Sequence, residues 1–195
     1  MGRVSRVSFL IAGLIFIPAV LFAQFNNNTT SPYSRYGLGD LQPYSLGRSS
    51  AMGGASLASR YNMQINAANP ASYTSLDSLN FLFEFGLEGK FAKSATETTS
   101  MESNDVNFKY FAMSFRITKW MATSLSLTPY SDVGYFVTSQ ADIDNVGNVY
   151  TTYYGTGTIS NARWGLAIEP IKNISVGANL NYRFGQLTRN TEVTF

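Results

Sequence analysis

The chain has 195 residues, of which 45% are apolar and only 13% charged, with a formal charge of +2. It contains no cysteine and no histidine. That composition excludes disulfides, thiolate metal sites and a lipid anchor on an N-terminal cysteine, and it removes the commonest metal ligand and general base. No Ser-His-Asp triad can be assembled from it, so an enzyme is not expected, and no cofactor or metal site is indicated. Setting aside Arg3 and Arg6, the remaining basic residues equal the 12 acidic ones. Neither a basic patch nor an acidic tail is present, which argues against nucleic acid as a partner.

Met1–Ala23 reads as a secretion signal. Arg3 and Arg6 give a positive start, and Val7–Phe22 an apolar core interrupted by Pro18. That core is about 16 residues, short of the roughly 20 a spanning helix needs. Cleavage after Ala23 is expected, with Leu21 larger than the usual small residue at its position.

Gln24–Ser78 shows no sustained alternation. A polar run, Asn26–Thr30, precedes SPYSRYGLGD at 31–40, AMGGASLAS at 51–59 and INAANPASY at 65–73. Glycine and small residues at this density permit tight turns and close backbone approach. A flexible linker rarely carries so many Tyr, Leu and Met residues. The segment is therefore expected to be an ordered plug, or hatch, packed inside a larger structure.

From Leu79 the pattern becomes that of strands, whose successive side chains point to opposite faces. Leu79, Phe81, Phe83, Phe85, Leu87 and Phe91 share one face, and Asn80, Glu84, Gly86, Glu88 and Lys90 the other. A polar loop is expected over Ala92–Asn104, followed by a strand over Asp105–Ile117. Its apolar phase changes at Tyr110–Phe111, which predicts a bulge or the point of membrane entry. After a tight turn at Thr118–Trp120, Met121–Thr128 alternates again, with Pro129 placed at the rim. Ser131–Asn161 reads as a long excursion, with room for a protruding hairpin. Arg163–Glu169 and Ile174–Gly185 are further strands joined near Ile171–Asn173, and one more is expected near Thr191–Phe195.

Short turns at 118–120 and 171–173 thus alternate with long polar segments at 92–104 and 131–161. Outer-membrane barrels share this asymmetry, with short periplasmic turns and longer outer loops. A soluble sandwich could share the strand alternation, but not the signal and the loop asymmetry together. Trp120, Tyr130, Tyr182 and Phe184 fall where aromatic girdles belong. The fold class expected is an all-β, transmembrane antiparallel β-barrel with an N-terminal plug or hatch. In domain terms, 1–23 is the signal, 24–78 the plug and 79–195 the first strands of the barrel. Five strands and a sixth fall short of the roughly eight or more that a barrel needs. The chain is therefore read as the N-terminal part of a longer one, over a small barrel complete in itself.

On the polar strand faces, Glu84, Glu88, Lys90, Asn179, Asn181 and Arg183 are the lumen-facing candidates. Glu84 and Glu88 are read as lumen lining or as contacts to the plug, for instance to Arg35, Arg48 or Arg60. A catalytic carboxylate pair does not fit, because four residues along one strand span roughly 13 Å. Asp142–Asn148 is similar to a calcium loop, yet Tyr153 stands where the bidentate Glu is required. It is read as a solvated loop turning at Gly147. Gly155-Thr156-Gly157 lacks the third glycine and the βαβ setting of a nucleotide site.

The small-rich AMGGASLAS, the Asn-Pro-Ala at 69–71, SPYSRYGLGDL and LTPYSDVGY, in that setting of plug and then strands, resemble the FadL/TodX outer-membrane transport family in its Bacteroidetes branch. The resemblance spans most of Ser31–Gly185. It implies a large barrel holding an N-terminal hatch, to which Gly53, Gly54, Ala55, Asn69, Pro70 and Ala71 would belong. It also implies passive uptake of hydrophobic small molecules, fatty-acid-like or aromatic, across the bacterial outer membrane. The expected partners are outer-membrane lipid, such a ligand, the barrel-assembly machinery and surface proteins. The alternatives are a scaffold for a surface or secretion complex and a small structural barrel.

Overall fold

The computed structural model describes residues 31–77, 81–95, 100–143 and 147–194. The expected signal, the polar run at 26–30 and the first two residues of the strand starting at Leu79 lie outside the described residues. Five long strands form an antiparallel meander in sequence order: β2 (Phe81–Ala95), β3 (Ser100–Thr118), β4 (Met121–Ile143), β5 (Gly147–Ile171) and β6 (Ile174–Thr194). A two-residue strand, β1 (Asp40–Leu41), pairs with β4 off this path. The sheet is open, and the fold is all-β and barrel-like, as expected.

Register explains which residues meet. Phe85, Phe111, Leu127, Ala162 and Tyr182 form one row across the sheet, and Phe83, Met113, Leu125, Trp164 and Leu180 the next. These rows make one face apolar and open: Leu180 is 67% exposed and Phe83 55%. Phe81 stacks on Phe115 at 5.8 Å, and Phe83 meets Phe111 edge-on at 5.1 Å. The alternate rows, such as Glu84–Ala112–Ser126–Arg163–Asn181, make the opposite face small and polar. Residues 31–77 pack on that face. The core lies between them, where Leu46, Ile65, Ala67 and Tyr73 meet Tyr110, Ala112, Ala122 and Ala167. Among the described residues no helix is long and apolar enough to cross a membrane.

The phase change expected at Tyr110–Phe111 is a register shift: Gly86 pairs with Tyr110 but Leu87 with Phe108, leaving Lys109 as the extra residue. Extra residues of this kind turn the following side chain to the other face, which is how Tyr110 comes to lie among the plug contacts. At the turn after β5, Asn173 takes a φ of 72°, a conformation asparagine tolerates better than most residues.

The excursion at 131–161 does hold the hairpin, though it is built from the outer parts of two long strands: β4 runs 23 residues and β5 25, paired from Met121–Ile168 out to Ile143–Gly147. Two other expectations fail. Most of 92–104 is likewise strand, as the ends of β2 and β3. The strand expected near Thr191–Phe195 is the end of β6, whose Thr194 pairs with Tyr150. Over 131–161 Thr and Tyr supply strand propensity without an apolar face, so a hydropathy rhythm is blind to them. Tyr130 leaves the girdle as well. It is the extra residue of a register shift between Pro129 and Ser131, and its ring lies 4.0 Å from the Arg183 guanidinium.

Gly86 exists for Tyr110, because a Cβ there would enter the tyrosine ring, whereas one at Gly89 would meet only Phe91 at 3.7 Å. Gly86→Ala is therefore expected to destabilise the refolded protein by about 1–3 kcal/mol in urea titration. Gly89→Ala should stay near wild type.

Candidate functional site

The plug–wall interface carries the chemistry, since here a segment poor in regular structure meets a polar sheet face. Its lower part is the 3₁₀ turn Pro70–Ser75, preceded by Asn69 and seated on β5 and β6. Gly165 and Gly177 make room: a Cβ at Gly177 would strike the backbone of Pro70 and Ala71, and one at Gly165 the Tyr73 ring. Tyr73 is 1% exposed, and its hydroxyl donates to Asn179 Oδ1 at 3.0 Å. Asn179 Nδ2 donates to the carbonyl of Ala67 at 2.9 Å, and Arg163 Nη1 to the same oxygen at 3.3 Å. Arg163 Nε in turn donates to Asn181 Oδ1 at 2.8 Å. Thr74 Oγ1 bonds Ser175 Oγ at 2.8 Å, and Arg60 reaches both hydroxyls.

Higher up, Glu84 Oε1 accepts the backbone N–H of Ile65 at 2.7 Å, and the Tyr110 hydroxyl accepts that of Gly47 at 2.9 Å. Gly47 takes a φ of 44° beside both groups, and it opens the short helix Gly47–Ala51. At the bottom rim Arg116 Nη1 donates to the carbonyl of Leu76 at 3.1 Å and lies 3.8 Å from Glu169.

Of the lumen-facing candidates, Glu84, Asn179 and Asn181 thus sit in the interface, and Arg183 lies beside it on Tyr130. Glu88 pairs with Lys109 at 2.7 Å, and Lys90 is exposed farther along the same strand. The plug arginines do not go to the glutamates. Arg35 lies 4.0 Å from the Tyr153 ring, Arg48 lies 4.6 Å from Tyr61, and Arg60 bonds the two hydroxyls above. Among the hatch residues, Asn69, Pro70 and Ala71 belong to the docked turn. Gly53 and Gly54, at φ 67° and 88°, end the short helix with open space around them, and Ala55 is exposed. Gly155 and Gly157 are β5 ladder residues. Asp142 and Asn148 are cross-strand partners at the β4–β5 hairpin, whose residues 144–146 lie outside the described ones.

The residues missed by sequence reasoning are Arg163, Gly165 and Gly177 on the wall and Tyr73 on the plug. The first three share the alternation of the polar face, so their side was legible. Nothing in the sequence marks Tyr73.

Two sizeable hollows flank the wall. A cleft of about 400 Å³ on the plug side is lined by Gly47, Arg48, Tyr61 and Glu84 among others. An apolar hollow of about 410 Å³ lies on the outer face between Leu127, Ala162, Trp164 and Tyr182.

A long antiparallel wall, greasy on one face and bolted to a plug on the other, defines an all-β, barrel-like class of protein. The family model described as BamG matches residues 6–195, and the chain belongs to the BamG family. That family is related to the barrel-assembly machinery and is not the FadL/TodX transport family, which corrects the resemblance drawn from the sequence. Membership marks a bacterial, outer-membrane-associated protein. No curated protein and no solved structure matches the chain.

Burial raises the Tyr73 phenol above its ordinary value, against the opposing charge of Arg163 and hydrogen bonds to Asn179 and Ser124. A raised value means the plug's hold is complete below the unfolded phenol's value of about 10. It weakens as pH climbs from there through the folded value. Hydrogen exchange at residues 65–76 should report that alkaline loosening, and Tyr73→Phe should abolish its pH dependence.

Proposed function

We propose that this protein is a non-enzymatic outer-membrane scaffold that works with the barrel-assembly machinery. It crosses the membrane by its strands after removal of the signal at Met1–Ala23, and residues 24–78 are its fixed plug. The observation that carries the reading is the BamG family match along nearly the whole chain. It favours the scaffold alternative over passive uptake of hydrophobic molecules.

The interface supports the same reading. A passage for greasy molecules needs apolar walls, yet the plug-facing rows are Ser, Ala, Asn, Gly and Arg. Large apolar side chains crowd the other face instead, where an exposed patch of this size would invite aggregation in water and where barrels meet lipid. The plug is held by hydrogen bonds from the wall to its backbone in addition to the apolar core between them.

Affinity-tagged full-length protein, extracted from native membranes in mild detergent, is expected to bring the barrel-assembly machinery with it. Depleting the protein should lower the yield of other assembled outer-membrane barrels. Reproducible purification without any such component, together with fatty-acid uptake by liposomes carrying the protein, would reverse the choice.

A further inference from the structure

The β3–β4 ladder stops at Phe111–Leu127, although β3 reaches back to Ser100 and β4 on to Ile143. Each strand carries an extra residue just past the break, Lys109 on β3 and Tyr130 on β4. Such insertions bend a strand and raise its twist, and Pro129 has no N–H to give a ladder. The wall therefore parts along a seam on the side away from the short turns.

A piece of the plug already occupies the β4 side of that seam. β1 pairs with it antiparallel, Asp40 opposite Asp132 and Leu41 opposite Ser131, and the Gln42 N–H donates to the Tyr130 carbonyl at 2.9 Å. Gln42 Nε2 donates to Asp132 Oδ2 at 2.8 Å, and the Gly134 N–H to Ser34 Oγ at 3.1 Å. The pairing cannot lengthen. Gly37 and Gly39 take φ of 58° and 87°, and a Cβ at Gly39 would strike the Asp132 backbone. Nor is the fit complete, because Ser131 Oγ is buried there with no hydrogen-bond partner. Among the described residues, β4 from Tyr135 to Asp142 has β5 as its strand partner on one side and no ladder on the other.

We propose that this seam is a docking site for an extended polypeptide of alternating apolar and polar residues, an unfinished outer-membrane strand, which displaces β1 from β4. An added strand gains affinity from main-chain hydrogen bonds and specificity from alternate side chains. β1 offers two ladder pairs, whereas an incoming strand can run the length of the edge. Alternation is required because Phe136 is 75% exposed while its neighbour Tyr135 is 7% exposed. The inference rests on the barrel-assembly reading, which supplies such strands.

The chain has no cysteine, so a Leu41→Cys/Ser131→Cys variant of the full-length protein can lock β1 in place. Residues opposite one another in antiparallel strands lie about 4.5–5.5 Å apart, within disulfide reach. The probe is a fluorescein-labelled peptide with the sequence of residues 174–186, ISVGANLNYRFGQ, followed by fluorescence anisotropy in detergent. Wild type and the reduced variant should bind it, the oxidised variant should bind about tenfold or more weakly, and reduction should restore binding. A scrambled peptide without alternation should bind poorly throughout. Equal affinity in both redox states, or binding to neither, overturns the proposal. Co-purification of the assembly machinery separates the two readings. Machinery retained by a protein that never binds the peptide sinks the seam and leaves the scaffold. Machinery absent from wild type sinks the scaffold itself.

Discussion

The plug has too little regular structure to satisfy its own backbone, and that shortage governs the rest. Between residues 31 and 77 it forms two 3₁₀ turns, one helix of five residues and a strand of two. Buried N–H and C=O groups need partners, so the wall must supply them. Asn179 and Arg163 serve the Ala67 carbonyl, Arg116 serves that of Leu76, Glu84 takes the Ile65 N–H, and Tyr110 takes that of Gly47. One face of every strand must then be polar and finely spaced. Since side chains alternate, the opposite face is free to be apolar, and the aromatic rows follow.

This explains what could be read from the sequence. The apolar rhythm of β2 and β6, and the register break at Lys109, were visible because one face of each strand is greasy there. The distal halves of β4 and β5 were not, because Thr, Tyr, Ser and Gly occupy both faces and the pairing is carried by backbone. At the interface, Glu84, Asn179 and Asn181 were legible from their face alone. Tyr73 was not, because its role depends on gaps at Gly165 and on Asn179, more than 90 residues away in the chain. Residues 31–77 precede the long strands and pack on their polar face, but that order does not by itself distinguish a transporter from a scaffold. A fold of this kind hosts either.

The difference lies in how the plug is held. A hatch meant to move should rest on contacts cheap to break, such as exposed ion pairs worth about 1 kcal/mol or less. Here the lower attachments are buried or half-buried, three of them run to main-chain carbonyls, and pulling them apart leaves an unsatisfied donor or acceptor at about 1–3 kcal/mol each. Asn179 and Arg163 both point at one carbonyl, so the Pro70–Ser75 turn cannot shift without breaking several bonds at once.

Three arginines rest on aromatic rings rather than on carboxylates. Arg35 faces Tyr153, Arg163 faces Tyr44 at 5.2 Å and Arg183 faces Tyr130. Guanidinium never titrates in the physiological range, so these contacts keep their charge across it. What remains variable is geometric: the lower turn is fixed by buried side chains, while the upper end is held by two ladder pairs, the hydrogen bonds of Gln42 and Ser34 to β4, a stacked Arg35 and an exposed Arg189 that reaches the Gly37 carbonyl at 2.6 Å. A plug anchored firmly at one end and lightly at the other can yield its upper strand without leaving the wall.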